Sequence, residues 1–424
     1  MTTIVLRGGR IVDPSQHLDR VADLVVRDGI VHAIGEHRDA DHAEEIIDVR
    51  GCVVAPGFID MHVHLREPGY PEKETISTGT RAAVRGGFTT IACMPNTNPA
   101  LDSVATLRTL ANLLDAHAEC RVVPIAAITV ARRGEELVDY AALSAAGAVA
   151  FSDDGTTVMD ARVLRDAALA ARDIPGPFIS HAEDELIKGA AVMHEGETSR
   201  RLGVPGSPGV AEDVIVARDV LIAGDTGKAW HIAHTSTRIA LDLVRFARAR
   251  SINVTCELTP HHLVFTDEAV AQMGAAAKVN PPLRSGDDRR ACIDAVRDGT
   301  VDVFATDHAP HTAGEKHADL SHAAVGFTGL EIAVGAYAYA CPGLSEMRFI
   351  ELCSTNPARI LGLAEGTLRL GSRADITVYE DRPWVVDPSE FASKGRATPF
   401  SGMTLPRQVM LTIVGGRIAH RRLP

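Results

Sequence analysis

His62 and His64 stand two residues apart at the end of a short apolar run that begins at Phe58. Such a run reads as a buried strand. Side chains alternate along a strand, so positions i and i+2 share a face. Two imidazoles on one face at a strand's end are two candidate ligands for one metal ion. In a chain with 18 histidines the pair alone fits a polar strand end just as well. What recurs downstream tips the balance. Asn96 follows a second apolar run, Asp153 and Asp154 another, and His181 and Glu183 the next; His231 and His234, then His261 and His262, then Asp307, His308 and His311 continue the series. Imidazoles and carboxylates repeated at strand ends are the donor set of an ion such as Zn2+, whose catalytic sites keep one position open.

The elements that must carry these groups alternate between strand and helix from about residue 55 to 365. Strands are predicted at 57–63, 89–94, 122–128, 146–151, 177–180, 229–233, 252–258 and 301–305. Between them lie amphipathic helical stretches such as 74–85, 105–116, 135–146, 161–172, 211–221, 237–248 and 289–296. Eight such units fit a (β/α)8 TIM barrel, in which chemistry sits at the C-terminal strand ends. An open doubly wound sheet is the alternative, but it should show a Gly-rich phosphate turn after its first strand, and none is present. Residues 1–54 and 366–424 instead read as short strands with Gly turns. Gly8-Gly9-Arg10-Ile11 near the start recurs as Gly415-Gly416-Arg417-Ile418 near the end. These two segments are expected to build one small β-sandwich domain beside the barrel domain, since chain ends often meet.

Composition narrows the class. At 424 residues, 46% of them hydrophobic, the chain is globular, and its net charge of −12 argues against nucleic acid as a partner. Seven cysteines without a Cys-x-x-Cys spacing read as small buried residues of a reducing compartment. No apolar run reaches the roughly 18 residues of a membrane span, and no signal-peptide core is visible, so a cytoplasmic location is expected. Six lysines against 37 arginines read as a habit of composition without functional meaning. His17, His32, His37, His42, His117, His194, His317, His322 and His420 read as surface or structural residues.

There are enough ligands for two ions. A paired site needs an anionic bridge between metals about 3.5–4 Å apart. A carboxylated lysine on the fourth strand is one such bridge, but no lysine falls between Lys73 and Lys188, which leaves Asp153 or Asp154. Ala148, Ala150, Ser152 and Asp154 form one face of that strand, and Val149, Phe151 and Asp153 the other. Small residues suit the crowded interior and bulky ones the outer helices, so Asp154 is the expected inward ligand and Asp153 a supporting acid. By the same alternation His234 faces the mouth and His231 is a buried, hydrogen-bonded histidine.

Asp60-x-His62-x-His64-x-Arg66-Glu67-Pro68-Gly69, Met94-Pro95-Asn96-Thr97, Thr259-Pro260-His261-His262, Val279-Asn280-Pro281-Pro282-Leu283-Arg284 and Ala305-Thr306-Asp307-His308-Ala309-Pro310-His311 resemble the motifs of dihydroorotase. More narrowly, they resemble the long bacterial (type I) branch of the amidohydrolase superfamily, over essentially the whole chain. The resemblance implies reversible cyclisation of N-carbamoyl-L-aspartate to L-dihydroorotate in pyrimidine synthesis, with two Zn2+ per subunit. His62 and His64 would bind one zinc, His181 and His234 the second, with Asp154 bridging and Asp307 completing the site as the catalytic proton shuttle. Substrate contacts would fall on His64, Arg66, Asn96, Asn280, His311 and the backbone of Val325 and Gly326. Arg66 would hold the substrate carboxylate in a bidentate fork, with Asn96 and His311 adding donors.

The chain departs from the family's usual Ala-Pro-Phe-Gly before the final helix, with Ala323-Ala324-Val325-Gly326 in its place. The loop is then expected to differ from the family's in rigidity and packing, but not in the backbone groups that touch the ring in relatives. The polar stretch 313–322 is a candidate lid and reads equally as a solvated connector. Hydantoinase, dihydropyrimidinase and allantoinase share the barrel, but dihydropyrimidinase-like enzymes rely on the absent strand-four lysine and their substrates lack the carboxylate that explains Arg66, while allantoinase-like sequences usually have another residue in place of that Arg. A non-catalytic scaffold for aspartate carbamoyltransferase is the other alternative, although every ligand position is filled here. A homodimer and association with that transferase are the partners the resemblance brings into view.

Overall fold

In the computed structural model, which describes residues 3–35 and 43–423, eight strands pair in chain order. They are Phe58–Val63, Phe88–Cys93, Arg121–Ala126, Ala150–Ser152, Phe178–Ser180, Trp230–Ile232, Val254–Leu258 and Val303–Phe304. Each runs parallel to the next. A single bridge between Val63 and His308 joins the last strand's end to the first, and His64 N–H donates to the His308 carbonyl at 2.9 Å. That seam completes the TIM barrel. His37 and His42 lie outside the described residues.

The alternation of side chains sorts the barrel's two surfaces. Met61, Ala92, Ile125, Ala150, Ile179 and Val303 fill the interior, while Phe58, Phe151, Phe178 and Trp230 face the helices. Most helices begin where their sequence supplies a cap: Thr75, Ser103, Asp160, Thr237 and Ser285 each accept a backbone N–H of the first turn. Several expected elements are shorter than their hydrophobic pattern, the strand expected over 301–305 being Val303–Phe304, and for two the local cause is visible. The helix expected over 135–146 spans only Tyr140–Ala145, because Asp139 caps it there by accepting from Ala142 N–H. The strand expected from 146 begins at Ala150, after Gly147 has turned the chain with φ of 107°.

The described parts of both chain ends lie in one eight-stranded sheet. Thr3–Asp13, Leu18–Arg27, Ile30–Gly35, Glu45–Asp48 and Val53–Pro56 come from the front, and Ile376–Glu380, Gln408–Val414 and Arg417–Arg421 from the rear. The ends are joined where Val53–Pro56 runs antiparallel to Ile376–Glu380. The sheet forks at the first strand, which pairs with Glu45–Asp48 along its first half and with Val53–Pro56 further on. Buried Asp13 adds a polar tie by accepting from Leu368 N–H at 2.6 Å. The repeated Gly-Gly-Arg-Ile phrase serves two different purposes. Gly8 and Gly9 sit at an irregularity in the first strand, whereas Gly415 and Gly416 make the turn between the last two strands, both at positive φ. Among the described residues no helix is long and apolar enough to cross a membrane.

Candidate metal centre

Six of the expected ligands meet at the C-terminal mouth of the barrel, and all six are buried. The His62 ring is oriented by Glu257, whose Oε1 lies 2.7 Å from Nδ1. Its Nε2 therefore points at Asp154 Oδ1, 3.4 Å away, and at Asp307 Oδ1, 3.5 Å away. His64 is held in the same manner by Asn96, whose Oδ1 is 2.9 Å from Nδ1. Its Nε2 is 3.0 Å from Asp307 Oδ1 and 3.5 Å from Asp154 Oδ2. From the other side, His181 Nδ1 and His234 Nε2 come within 3.6 and 3.7 Å of Asp154 Oδ1 and within 2.9 Å of each other. Asp154 thus belongs to two donor groups at once, one with His62 and His64 and one with His181 and His234. Within each, the ligand atoms lie within 4.8 Å of one another.

These residues fit divalent cations. Two buried atoms at the centre, His62 Nε2 and Asp154 Oδ1, have no hydrogen-bond partner. Leaving such groups unpaired is costly unless something else binds them. Burial pushes the Asp154 carboxyl up, but His62, His181 and His234 outweigh it and hold the group well below the usual range. Burial likewise opposes ionisation of Asp307, and His62 and His64 pull its pKa down all the same. Both acids are therefore anionic at neutral pH, as ligands must be. Glu257, also kept ionised against its burial by His62 and His231, supports the first ligand from behind.

Neighbouring residues of similar type are committed elsewhere. Asp153 accepts from Ile128 N–H at 2.8 Å and Thr129 N–H at 3.1 Å, and from the Thr129 hydroxyl, so it ties down the preceding strand's loop. His231 is engaged by Thr255 Oγ1 and Glu257 Oε2. His262 contacts Thr259 and the Pro281 carbonyl, and His308 contacts Glu74. Backbone strain concentrates at the centre. Arg66, His234 and Asp307 all adopt left-handed φ, at 65°, 31° and 47°, a conformation that costs a non-glycine residue about 1–3 kcal/mol.

A cavity of about 310 Å3 opens above the ligands, and Arg66, Asn96, Asn280, His311, Val325 and Gly326 all line it. The Arg66 guanidinium donates through Nε to the Pro310 carbonyl at 3.2 Å, has Nη2 3.3 Å from His311 Nε2, and lines the cavity. Asn96 spends its oxygen on His64. The Asn280 amide donates to the Val279 carbonyl at 3.1 Å and accepts from Lys188, which also pairs with Glu183 beside His181. Burial, then the charges of Arg66 and Lys73, push His311 down to about 3, so it is neutral, and its Nε2–H donates to the Val325 carbonyl at 2.8 Å. Sequence reasoning missed Glu257, Asp60, Arg132, Tyr70 and Lys73. Asp60 accepts from the backbone N–H of His62 and Thr306, while Arg132, Tyr70 and Lys73 line the cavity. Glu257 did leave a signal, as the one charged residue inside the buried strand Val254–Leu258.

Residues 51–240 match the family model described as dihydro-orotase-like, and residues 216–420 match that of the amidohydrolase family. The dihydroorotase of Pelobacter propionicus is 45% identical over 422 residues, which is 99% of this chain and 100% of that one. That of Aquifex aeolicus is 41% identical over 424 residues, again 99% and 100%. Among solved structures, L-hydantoinase from Arthrobacter aurescens superposes with a TM-score of 0.90 at 24% identity. The match covers 100% of this chain and 97% of that one, and the likeness is one of fold.

Proposed function

The chain belongs to the dihydroorotase family, and we propose that its chemistry is done by His62, His64, Asp154, His181, His234 and Asp307 at the barrel mouth. The reaction is the reversible closure of N-carbamoyl-L-aspartate to L-dihydroorotate, a cyclic amide hydrolysis in the reverse direction. What carries the site reading is the convergence of four imidazoles on one shared carboxylate, with two buried donor atoms left unpaired. Zn2+, two per subunit, is the cofactor this donor set favours.

Such ions would be held by those six residues, and when bound would supply Lewis acidity for the amide oxygen and lower the pKa of water from 15.7 to about 7. The protein's own groups do the rest. Asp307, anionic and 3.0 Å from His64 Nε2, takes the proton from the attacking water and returns it to the ring nitrogen as the C–N bond breaks. In cyclisation it takes that proton from the carbamoyl nitrogen instead. Arg66 pairs with the substrate carboxylate, remote from the reacting bond, and so orients the ring against the nucleophile. With its oxygen bound to His64, Asn96 keeps its amide hydrogens for the substrate. His311, in contrast, has spent its Nε2–H on Val325, so it positions the loop beside the substrate and donates nothing from that atom.

The test is an assay of the purified protein alone. Dihydroorotate hydrolysis should disappear on chelation and return with added zinc, and ring substrates without the carboxylate should be poor. Full activity in metal-free protein would refute the reading. Arg66→Lys should cost kcat/KM about 2–3 kcal/mol, the worth of a desolvated charged contact, without releasing metal. Unchanged kcat/KM in that variant would remove Arg66 from the substrate site. A cytoplasmic location belongs to the same reading and is supported by seven buried cysteines with no disulfide among the described residues. So do a homodimer and association with aspartate carbamoyltransferase, both drawn from the family resemblance.

A further inference from the structure

Two of the six lysines are buried next to the cavity, where neither meets a carboxylate. Lys278 and Lys316 are 5% and 7% exposed. The Lys278 ammonium donates to the carbonyls of Leu320, Ser321 and Ala323 at 2.7, 3.3 and 2.8 Å. The Lys316 ammonium donates to those of Lys278, Ala324 and Gly326 at 3.4, 2.9 and 2.8 Å. Each ammonium has three N–H donors, and each finds three carbonyl acceptors.

The acceptors explain the arrangement. Five of the six belong to the stretch 320–326, which lies in no helix and pairs with no strand as far as Val325. Its inward carbonyls need partners, and neither a neighbouring strand nor a Pro-Phe pair supplies rigidity there. Two buried lysines do so: burial pulls Lys316 down to about 7 and lowers Lys278 as well, but three carbonyl oxygens around each Nζ call for the three N–H groups of the charged form. The backbone continues the tie, since Gly326 N–H donates to the Lys278 carbonyl at 3.0 Å and Ala324 N–H to that of Glu315 at 3.0 Å. The far end of the stretch forms part of the cavity wall through Val325 and Gly326, and Val325 holds His311 beside Arg66. The region expected as a candidate lid, 313–322, is thus anchored at its root by the helix Ala313–Lys316 and at its far end, Leu320 and Ser321, by the Lys278 ammonium.

We propose that Lys278 and Lys316 are positioning residues for substrate binding, holding the 320–326 backbone so that Val325, Gly326 and His311 present a preformed wall to the dihydroorotate ring. They touch neither substrate nor metal. The inference rests on the cavity being the catalytic site, and it assigns these lysines the role that the replaced loop residues leave open.

Lys278→Met and Lys316→Met keep the length and the packing and remove the charge. In each, KM for dihydroorotate should rise by on the order of tenfold while kcat stays within about twofold, the pattern of lost substrate positioning. Bound metal should be unchanged, and amide hydrogen exchange should quicken in 320–326 and not in the barrel strands. Lys316→Gln, which retains two donors, should recover part of the KM, and it serves if the methionine variants fold poorly. Unaltered KM in well-folded variants overturns the proposal, whether or not exchange quickens. So does a loss confined to kcat, or a loss that follows metal content. Wild-type protein without dihydroorotate hydrolysis would instead reject the functional reading on which the proposal stands.

Discussion

Asp307→Asn should lower turnover by on the order of 1000-fold or more, because on the proposed mechanism it removes the base that moves the proton and weakens a metal ligand at the same time. Asparagine keeps the size of the side chain and an oxygen facing His64, 3.0 Å away in the native protein. The native carboxylate is held ionised by His62 and His64 against its burial, so it meets the substrate unprotonated and can take a proton up and hand it back. An amide does neither. The measurement is kcat alongside metal content by atomic absorption. A variant with full metal and a rate within about tenfold of the native enzyme, less than a general base contributes, would dismiss Asp307 as the shuttle. Loss of both metal and rate would make it chiefly a ligand.

Asp154→Ala should lower bound metal to less than half the native content, and activity with it, because one carboxylate serves both donor groups. Removing it leaves Asp307 beside His62 and His64 but no carboxylate common to both groups, and two cations held close together repel strongly without one. The adjacent Asp153→Ala is the control. It should keep its metal and lose stability instead, by about 1–3 kcal/mol, since Asp153 satisfies two backbone N–H groups and a hydroxyl at Ile128 and Thr129. Metal analysis and thermal unfolding of the two variants separate the roles, and the reverse pattern would exchange them.

Asp153 and Asp154 also show what could be read before any coordinates. A small-residue face and a bulky face were visible in the sequence, and Ala150 does lie in the barrel interior while Phe151 faces the helices. The eight strands were legible because each is a short apolar run bounded by turn residues, a signal carried within a few positions. Glu257 and Asp60 were not, because their meaning lies in partners far along the chain. Glu257 meets His62 195 positions away, and Asp60 meets Thr306 across 246. Arg132 gave no sign, since it reaches the cavity only through an irregular turn with left-handed backbone at 131 and 132. The helix expected over 135–146 was too long because Asp139 already offered a cap inside an amphipathic pattern. The lysines misled in a different way. Their scarcity read as mere composition, while the work of Lys278 and Lys316 is done on backbone oxygens, which no side-chain pattern records.

The barrel's seam has a thermodynamic implication. First and last strands meet through one bridge at Val63 and His308, the thinnest lacing in the ring. His62 and His64 stand on one edge of that gap and Asp307 on the other. Anything gripped by all three becomes a clasp across a loop of more than two hundred residues, so its binding energy is also the energy of keeping the ring shut. Cofactor loading and the cooperativity of unfolding are, in this architecture, one linked equilibrium.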